Sequence, residues 1–475
     1  MPRIEGTTRW RDMSAGNIQK VSSNIAIPNG VPFSMNLLFD DVIGEAVSRE
    51  GTNRIGTQMS AGNSCLGLFN HLDSDAANHQ LFAGFNGSIF DAAGSESLGG
   101  LSSSARMRFA TFMNTTLMLN GTESRSYTDA GGWVSSGGAL DVGNVPAGAQ
   151  YPLEFKDRVY AAVTDRVYYT ATPTSVTANV VSWTGDGSGS IQAEQEDGGG
   201  TVRALNKVPG YVMIYKQRSL KRWNFDSTFP EDLVNIGTQS HESVVRARGR
   251  NYFFYGPNGF YETKGDYPRL ISRPIQRVVE GIASSFYENV NGWSDNVNVY
   301  WGVGTVTMNF DRGFTETYTN VMLRYHIDTQ QWAPLRYAHN FRQLHQYING
   351  DDTLIVGGDS DGQVLQLNTG NSDYSGNAIT YILQSPEFDF KNRERRKTIS
   401  EKIYIHSDGT HGAELQARLD YGEWKSIGTL KDIVSEVFIQ SLTAKVFEFR
   451  IVDSISGEQI KLQGLDFPIV DVLDN

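Results

Sequence analysis

NYFFYGPNGFYETKGDYPRLIS, residues 251–272, reads as a strand, a tight turn, a second strand and a proline-stopped loop. Tyr252, Phe253, Phe254 and Tyr255 are bulky at four successive positions. Because successive strand side chains point to opposite faces, this strand is expected to be covered on both sides. Pro257 presets φ at the first central turn position, Asn258 tolerates the bridge or left-handed region, and Gly259 can take positive φ. Phe260 and Tyr261 then return antiparallel, and almost nothing in the stretch could do chemistry.

Similar units recur along the chain. They are LFAGFNGSIF from Leu81, LMLNGTESRSY from Leu117, VYAAVTDRVYY from Val159, VMIYKQRSLKRW from Val212, VYWGVGTVTMNF from Val299 and LIVGGDSDGQVLQL from Leu354. With the opening hairpin these make seven candidates, whose starts lie roughly 36 to 55 residues apart; a four-stranded propeller blade occupies about 40 to 50. Blades packed face to face need apolar residues on both faces of their inner strands, whereas an open sheet would show cleaner alternation. The expectation is an all-β protein built as a β-propeller of about six to eight blades over residues 46–385. A set of β-sandwiches joined by ordinary hairpins is the competing reading.

Near Pro386 the texture changes to a charged stretch, SPEFDFKNRERRK, followed by KIYIHSD, ELQARLDYGEW and KVFEFRIVD with period-two alternation. Residues 386–475 are therefore read as a separate C-terminal β-sandwich-like domain, and residues 1–45, without a hairpin signal, as an arm or partner-docking segment. One helix is expected over Pro274–Val290, where Ile275, Val278, Val279, Ile282 and Phe286 share a face. The glycine-rich, acidic segment 182–200 reads as an exposed loop with a brief strand inside it.

Lys and Arg number 41 against 53 Asp and Glu, a formal charge of −12, so tight phosphate binding is not expected of the surface as a whole. One cysteine, Cys65, excludes an internal disulfide and reads as a small buried hydrophobe, in keeping with folding in a reducing cytoplasm. No apolar signal-type core opens the chain and no run of 18 apolar residues occurs, so neither secretion by signal peptide nor membrane insertion is expected.

Chemistry-bearing patterns are sparse. The eight histidines (His71, His79, His241, His326, His339, His345, His406 and His411) show no HExxH spacing, and one cysteine cannot build a local zinc set. Asp359, Asp361 and Gly362 in GGDSDGQ resemble the start of a calcium loop, but an Asp-Gly hairpin turn accounts for the same letters. RLDYGEW, residues 418–424, partly resembles the Asp-box turn of sialidase-type propellers, yet Trp424 stands one position early and a turn with a packed indole is expected. GxGxxG after a strand and P-loop motifs are missing, and the one GxSxG string, GDSDG (358–362), consists of the letters of that same Asp-Gly turn. Catalytic, cofactor and metal sites are therefore not expected. The one dense basic run is KNRERRK, residues 391–397; Arg393, Arg395, Arg396 and Lys397 are candidates for contact with an acidic neighbouring subunit, and a solvated interdomain turn is the plainer reading.

The order of features resembles a known family. NLLFDDVIGEAVSREGTNRIGTQ (36–58), GGGTVRALNKVPGYVMIYKQRSLKRW (198–223), YFFYGPNGFYETKGDYPRLISRPIQRVVEGI (252–282) and GGDSDGQVLQLN (357–368), followed by a charged β domain, are similar to the β-propeller tail nozzle proteins of short-tailed bacteriophages. These are also called tail accessory or packaged-DNA stabilisation proteins. The resemblance implies a structural virion protein, assembled in the host cytoplasm as a homo-oligomer, commonly six copies, below the portal and tail adaptor. There it would line the DNA exit channel and help retain packaged DNA. DNA would pass without sequence-specific binding, which acidic walls favour. A propeller that binds or degrades host-surface glycan is the alternative.

Overall fold

The computed structural model describes residues 5–15, 17, 30–39, 44–75, 79–173, 181–193, 198–225, 227–309, 315–389, 394, 396–408, 412–431, 434–455 and 459–471. Among these residues the strands form seven four-stranded antiparallel sheets, one six-stranded and one five-stranded sheet. The seven are propeller blades. Blade 1 runs Cys65–His71, Gln80–Phe85, Ser88–Phe90 and Glu96–Leu98, and blade 2 runs Arg108–Phe112, Thr115–Leu119, Ser124–Thr128 and Gly132–Val134. Blade 3 begins with Gln150–Phe155, blade 4 with Val202–Val208, blade 5 with Val245–Ala247, blade 6 with Asn291–Ser294 and blade 7 with Gln343–Asn349. Neighbouring blades meet along these first strands, with the short 3-10 turn His241–Ser243 bridging blades 4 and 5, and blade 7 packs back on blade 1. The fourth strand of blade 7 is Thr52–Arg54, paired with Val364–Leu367, so the ring is closed by a strand from near the other end of the chain.

Six of the seven predicted hairpins are the second and third strands of their blades. In the 251–272 stretch Tyr252 faces Thr263, Phe254 faces Tyr261 and Gly256 faces Gly259, leaving Pro257 and Asn258 as the loop. Tyr252, Phe253 and Phe254 are fully buried. Phe253 packs toward blade 6 and Phe254 toward blade 4, which is why both faces are bulky. Gly259 has φ +131°, and a Cβ there would lie 2.2 Å from Ser272 Oγ, so only glycine fits.

The exception is VYWGVGTVTMNF. It is one twelve-residue strand, Asn298–Asn309, paired with Thr315–His326 through irregular registers around Gly302, Gly304 and Val306. Gly304, at φ +68°, is a bulge position beneath the Phe286 ring rather than a turn. The expected helix is also shorter: Gln276–Glu280 is α-helical and Ser284–Asn289 is 3-10. Between them the backbone leaves the helix to pair with that long strand, with Thr307 N donating to Gly281 O and Ala283 N to Thr305 O. The predicted apolar face is nonetheless buried, Ile275, Val278, Val279, Ile282 and Phe286 all lying in one core with blades 5 and 6. Within 182–200 the brief strand is Gly189–Gln192, the outer strand of blade 3.

The remaining two sheets form a sandwich. One contains Leu37–Leu38, Ala46–Ser48, Lys461–Asp471, Lys397–Asp408 and Val434–Ala444, with Glu5–Trp10 added alongside Lys461–Asp471; the other contains Phe33–Met35, Ile379–Gln384, Phe447–Ile455, Glu414–Leu419 and Lys425–Thr429. Their inward residues, Ile403, Ile405, Leu415, Phe449, Ile451, Leu465 and Phe467 among them, share one core with Trp10 and Leu37. The segment read from sequence as an arm thus supplies strands to both sheets, and Ile379–Gln384, ahead of residue 386, already belongs to the sandwich. These strands are two to six residues long; Glu5–Trp10 and Phe33–Met35 pair with strands more than 300 residues away, and Leu37–Leu38 makes only a two-residue ladder with Ala46–Ser48, so local patterning does not mark them.

Candidate binding site on the propeller axis

The first strands of every blade but the third line a central cavity of about 500 Å³. Its wall carries Phe109 of blade 2, Phe69 of blade 1, His345 of blade 7 and Trp293 of blade 6, whose rings touch in that order with centroids 5.3, 5.3 and 4.4 Å apart. Burial among these rings pushes the His345 imidazole down to about 4, against a bond to the Gln346 carbonyl, so it is neutral at ordinary pH. The cavity has room for a small molecule and none for a nucleic-acid duplex.

Beside it, where the connections between blades enter the axis, lies a second cavity of about 320 Å³ lined by Arg106, Arg108, Tyr151, Arg203, His241, Glu242, Glu288 and Asn289 among others. Glu242 stands between two cations: Arg108 Nε donates to Oε1 at 3.0 Å and Arg106 Nη1 lies 3.2 Å from Oε2. Burial alone would raise the Glu242 pKa, but Arg108 and Arg106 outweigh it and hold the carboxyl well below the usual carboxylate range. Burial pushes the neighbouring His241 down to about 4, Glu242 opposing. The arginines are held from behind: Arg106 Nη2 donates to Asn289 Oδ1 at 2.6 Å, Arg108 Nη1 donates to Gln150 Oε1 at 2.9 Å, and Arg108 lies over the Tyr151 ring. Among the described residues, Arg203 pairs with the outlying Glu288 alone, at 3.5 Å.

The sequence-predicted positions lie elsewhere. Arg393 and Arg395 fall outside the described residues; Arg396 is exposed; Lys397 is buried, its ammonium donating to the Asp389 carbonyl at 2.8 Å. Asp359 is a turn residue, accepting from the backbone N–H groups of Asp361 and Gln363 and pairing with His339. Asp420 accepts from Lys445 N and Val446 N, and Trp424 packs under Arg418 and Arg450. Cys65 is buried, which pushes its thiol up to about 12. Among the described residues no cluster of three or more His, Cys, Asp or Glu side chains could hold a metal, and no helix is long and apolar enough to cross a membrane. The axial arginines were not singled out by sequence. The available signal is ARMRF (105–109), which puts Arg106 and Arg108 on one face of an extended segment.

No protein-family model matches the chain, and no curated protein matches it. Solved structures do. The chain is 12% identical to YCF48 bound to D1 peptide, covering 66% of this chain and 94% of that one with a TM-score of 0.41. It is 11% identical to each of two extracellular domains of B. thetaiotaomicron BT4673. The one described as a hybrid two component system gives a TM-score of 0.44 over 83% of this chain and 47% of that one. The one described as a one component system gives 0.46 over 94% and 64%. The seven four-stranded blades and the two sheets packed on a common core define the class of protein, a β-propeller carrying a β-sandwich.

Proposed function

We propose that this chain is a non-catalytic, ring-forming tail nozzle subunit of a short-tailed phage, several copies of which surround the DNA exit path below the portal and adaptor. The observation that carries the reading is the size of the axial cavity. A propeller whose own axis holds about 500 Å³ cannot conduct a duplex, so a conduit built from this chain runs between copies, along their outer faces. Two further features support it. The sandwich and the propeller share a continuous core and the buried ion pair Arg49–Asp373, as a rigid wall element requires. A charge of −12 repels phosphates from such a wall. Electron microscopy of the protein mixed with its upstream portal–adaptor complex is expected to reveal rings, and filter binding at physiological salt to detect no duplex retention. Persistent monomers in that mixture would overturn the proposal.

A second reading is favoured by one observation. The second cavity, beside the axial one, gathers Arg106, Arg108 and Arg203, which suits the carboxylate of an acidic glycan. Release of reducing ends on incubation with host-surface polysaccharide would establish that reading and displace the first.

A further inference from the structure

The cavity of Arg106, Arg108 and Arg203 is out of electrostatic balance. Three guanidinium groups line it and, among the described residues, Glu242 and Glu288 are the carboxylates that line it with them; Glu288 is 66% exposed. Arg342 stands close enough to Arg106 to lower its own affinity for a proton, after the larger effect of burial. It lies over the Phe286 ring, with no carboxylate paired to it among the described residues. Hydrogen bonding is equally incomplete. Among the described residues, Arg203 Nε, Arg342 Nε and His241 Nδ1 are buried without a partner, and Arg106 Nη1, though near Glu242, makes no hydrogen bond. Buried polar nitrogens left unmet are costly, more so when charged, and Arg106, Arg203 and His241, which bear three of them, line this one cavity.

We propose that this cavity binds a small oxyanion, a carboxylate or a phosphate, through Arg106, Arg108 and Arg203. The guanidinium forks match both groups geometrically, and Tyr151 supplies an apolar wall beside them. The site stands independently of the nozzle reading: a ring-forming subunit and a glycan binder could each carry it.

The test is titration calorimetry with thermal unfolding of the full chain in chloride buffer, using inorganic phosphate in one arm and glucuronate in the other. Saturable one-site binding of either is expected, with at least tenfold weaker binding by Arg203→Gln and unchanged binding by Arg222→Gln, which removes the same charge from an exposed pair with Glu231. Glu288→Gln, removing the competing carboxylate at an exposed position, is expected to tighten binding severalfold. Phosphate preference assigns a phosphoryl ligand and glucuronate preference a sugar acid. Absence of saturable binding in both arms, or equal weakening by Arg203→Gln and Arg222→Gln, overturns the proposal.

Discussion

Two buried arginine environments in this molecule have opposite character. Arg49, between propeller and sandwich, uses all five of its N–H donors: Nε to Asn36 Oδ1, Nη1 to Glu50 O and Asp373 Oδ1, Nη2 to Arg336 O and Asp373 Oδ2, at 2.6–2.9 Å. Its guanidinium also lies 3.9 Å over the Tyr337 ring. Asp373 is equally occupied, accepting from Ala338 N as well. On the propeller axis, by contrast, Arg106, Arg203 and Arg342 each keep a buried nitrogen without a hydrogen bond. A closed network around a charge marks a joint, because every group is already answered by the fold. An open one marks a place where something else completes the set.

Breaking the closed network should give the largest effect. Arg49→Met leaves Asp373 buried and unpaired, and is expected to lower unfolding free energy in urea by about 3–5 kcal/mol, while the double variant Arg49→Met/Asp373→Leu recovers most of the loss. A single-variant cost below about 1 kcal/mol would show that the joint is held by the apolar contacts of Phe33, Met35 and Ile382 instead. Next comes the hairpin of blade 5. Gly259→Val forces a branched side chain to φ +131° against Ser272, and a loss of roughly 2–4 kcal/mol is expected from backbone strain and overlap together. An unchanged urea midpoint would mean that the turn relaxes freely.

That hairpin also explains what could be read in advance. Blade interiors announce themselves locally, because the second and third strands are adjacent in sequence and bulky on both faces, as in Tyr252–Tyr255 and Val212–Tyr215. The closing strand is invisible by the same logic: Thr52–Arg54 is TNR, three residues with two exposed, and is a strand only because Val364–Leu367 lies beside it. The axial cavity is harder still. Arg106 and Arg203 stand 97 positions apart, and ring closure alone brings them to one void, so no window of sequence contains the cluster. The dense run at 391–397 drew the eye as basic, yet its Lys397 is spent on the backbone carbonyl of Asp389.

The axis can also be distinguished from the joint by acid. His345 titrates near 4 in the folded chain and at about 6.5 when unfolded, so the unfolded state binds the extra proton across that window and stability falls as pH drops through it. Unfolding free energy is expected to decline by about 2–3 kcal/mol between pH 6.5 and 4 from this ring. His345→Gln should remove this ring's share of that slope, leaving the share of His241, which burial also pushes down to about 4. An identical slope in the variant would assign the acid sensitivity to another group.

The smallest effect belongs to the surface. Arg396 is exposed, and Arg396→Ala is expected to change the urea midpoint by less than about 0.5 kcal/mol equivalent. If Arg396 nevertheless contacts an acidic neighbour in a ring, the same variant weakens assembly in sedimentation runs at low salt and differs little from wild type at high salt, where exposed pairs are screened. Stability and assembly thus separate at this position, whereas at Arg49 they fall together, since a loosened joint would change the shape of any surface the two halves present jointly.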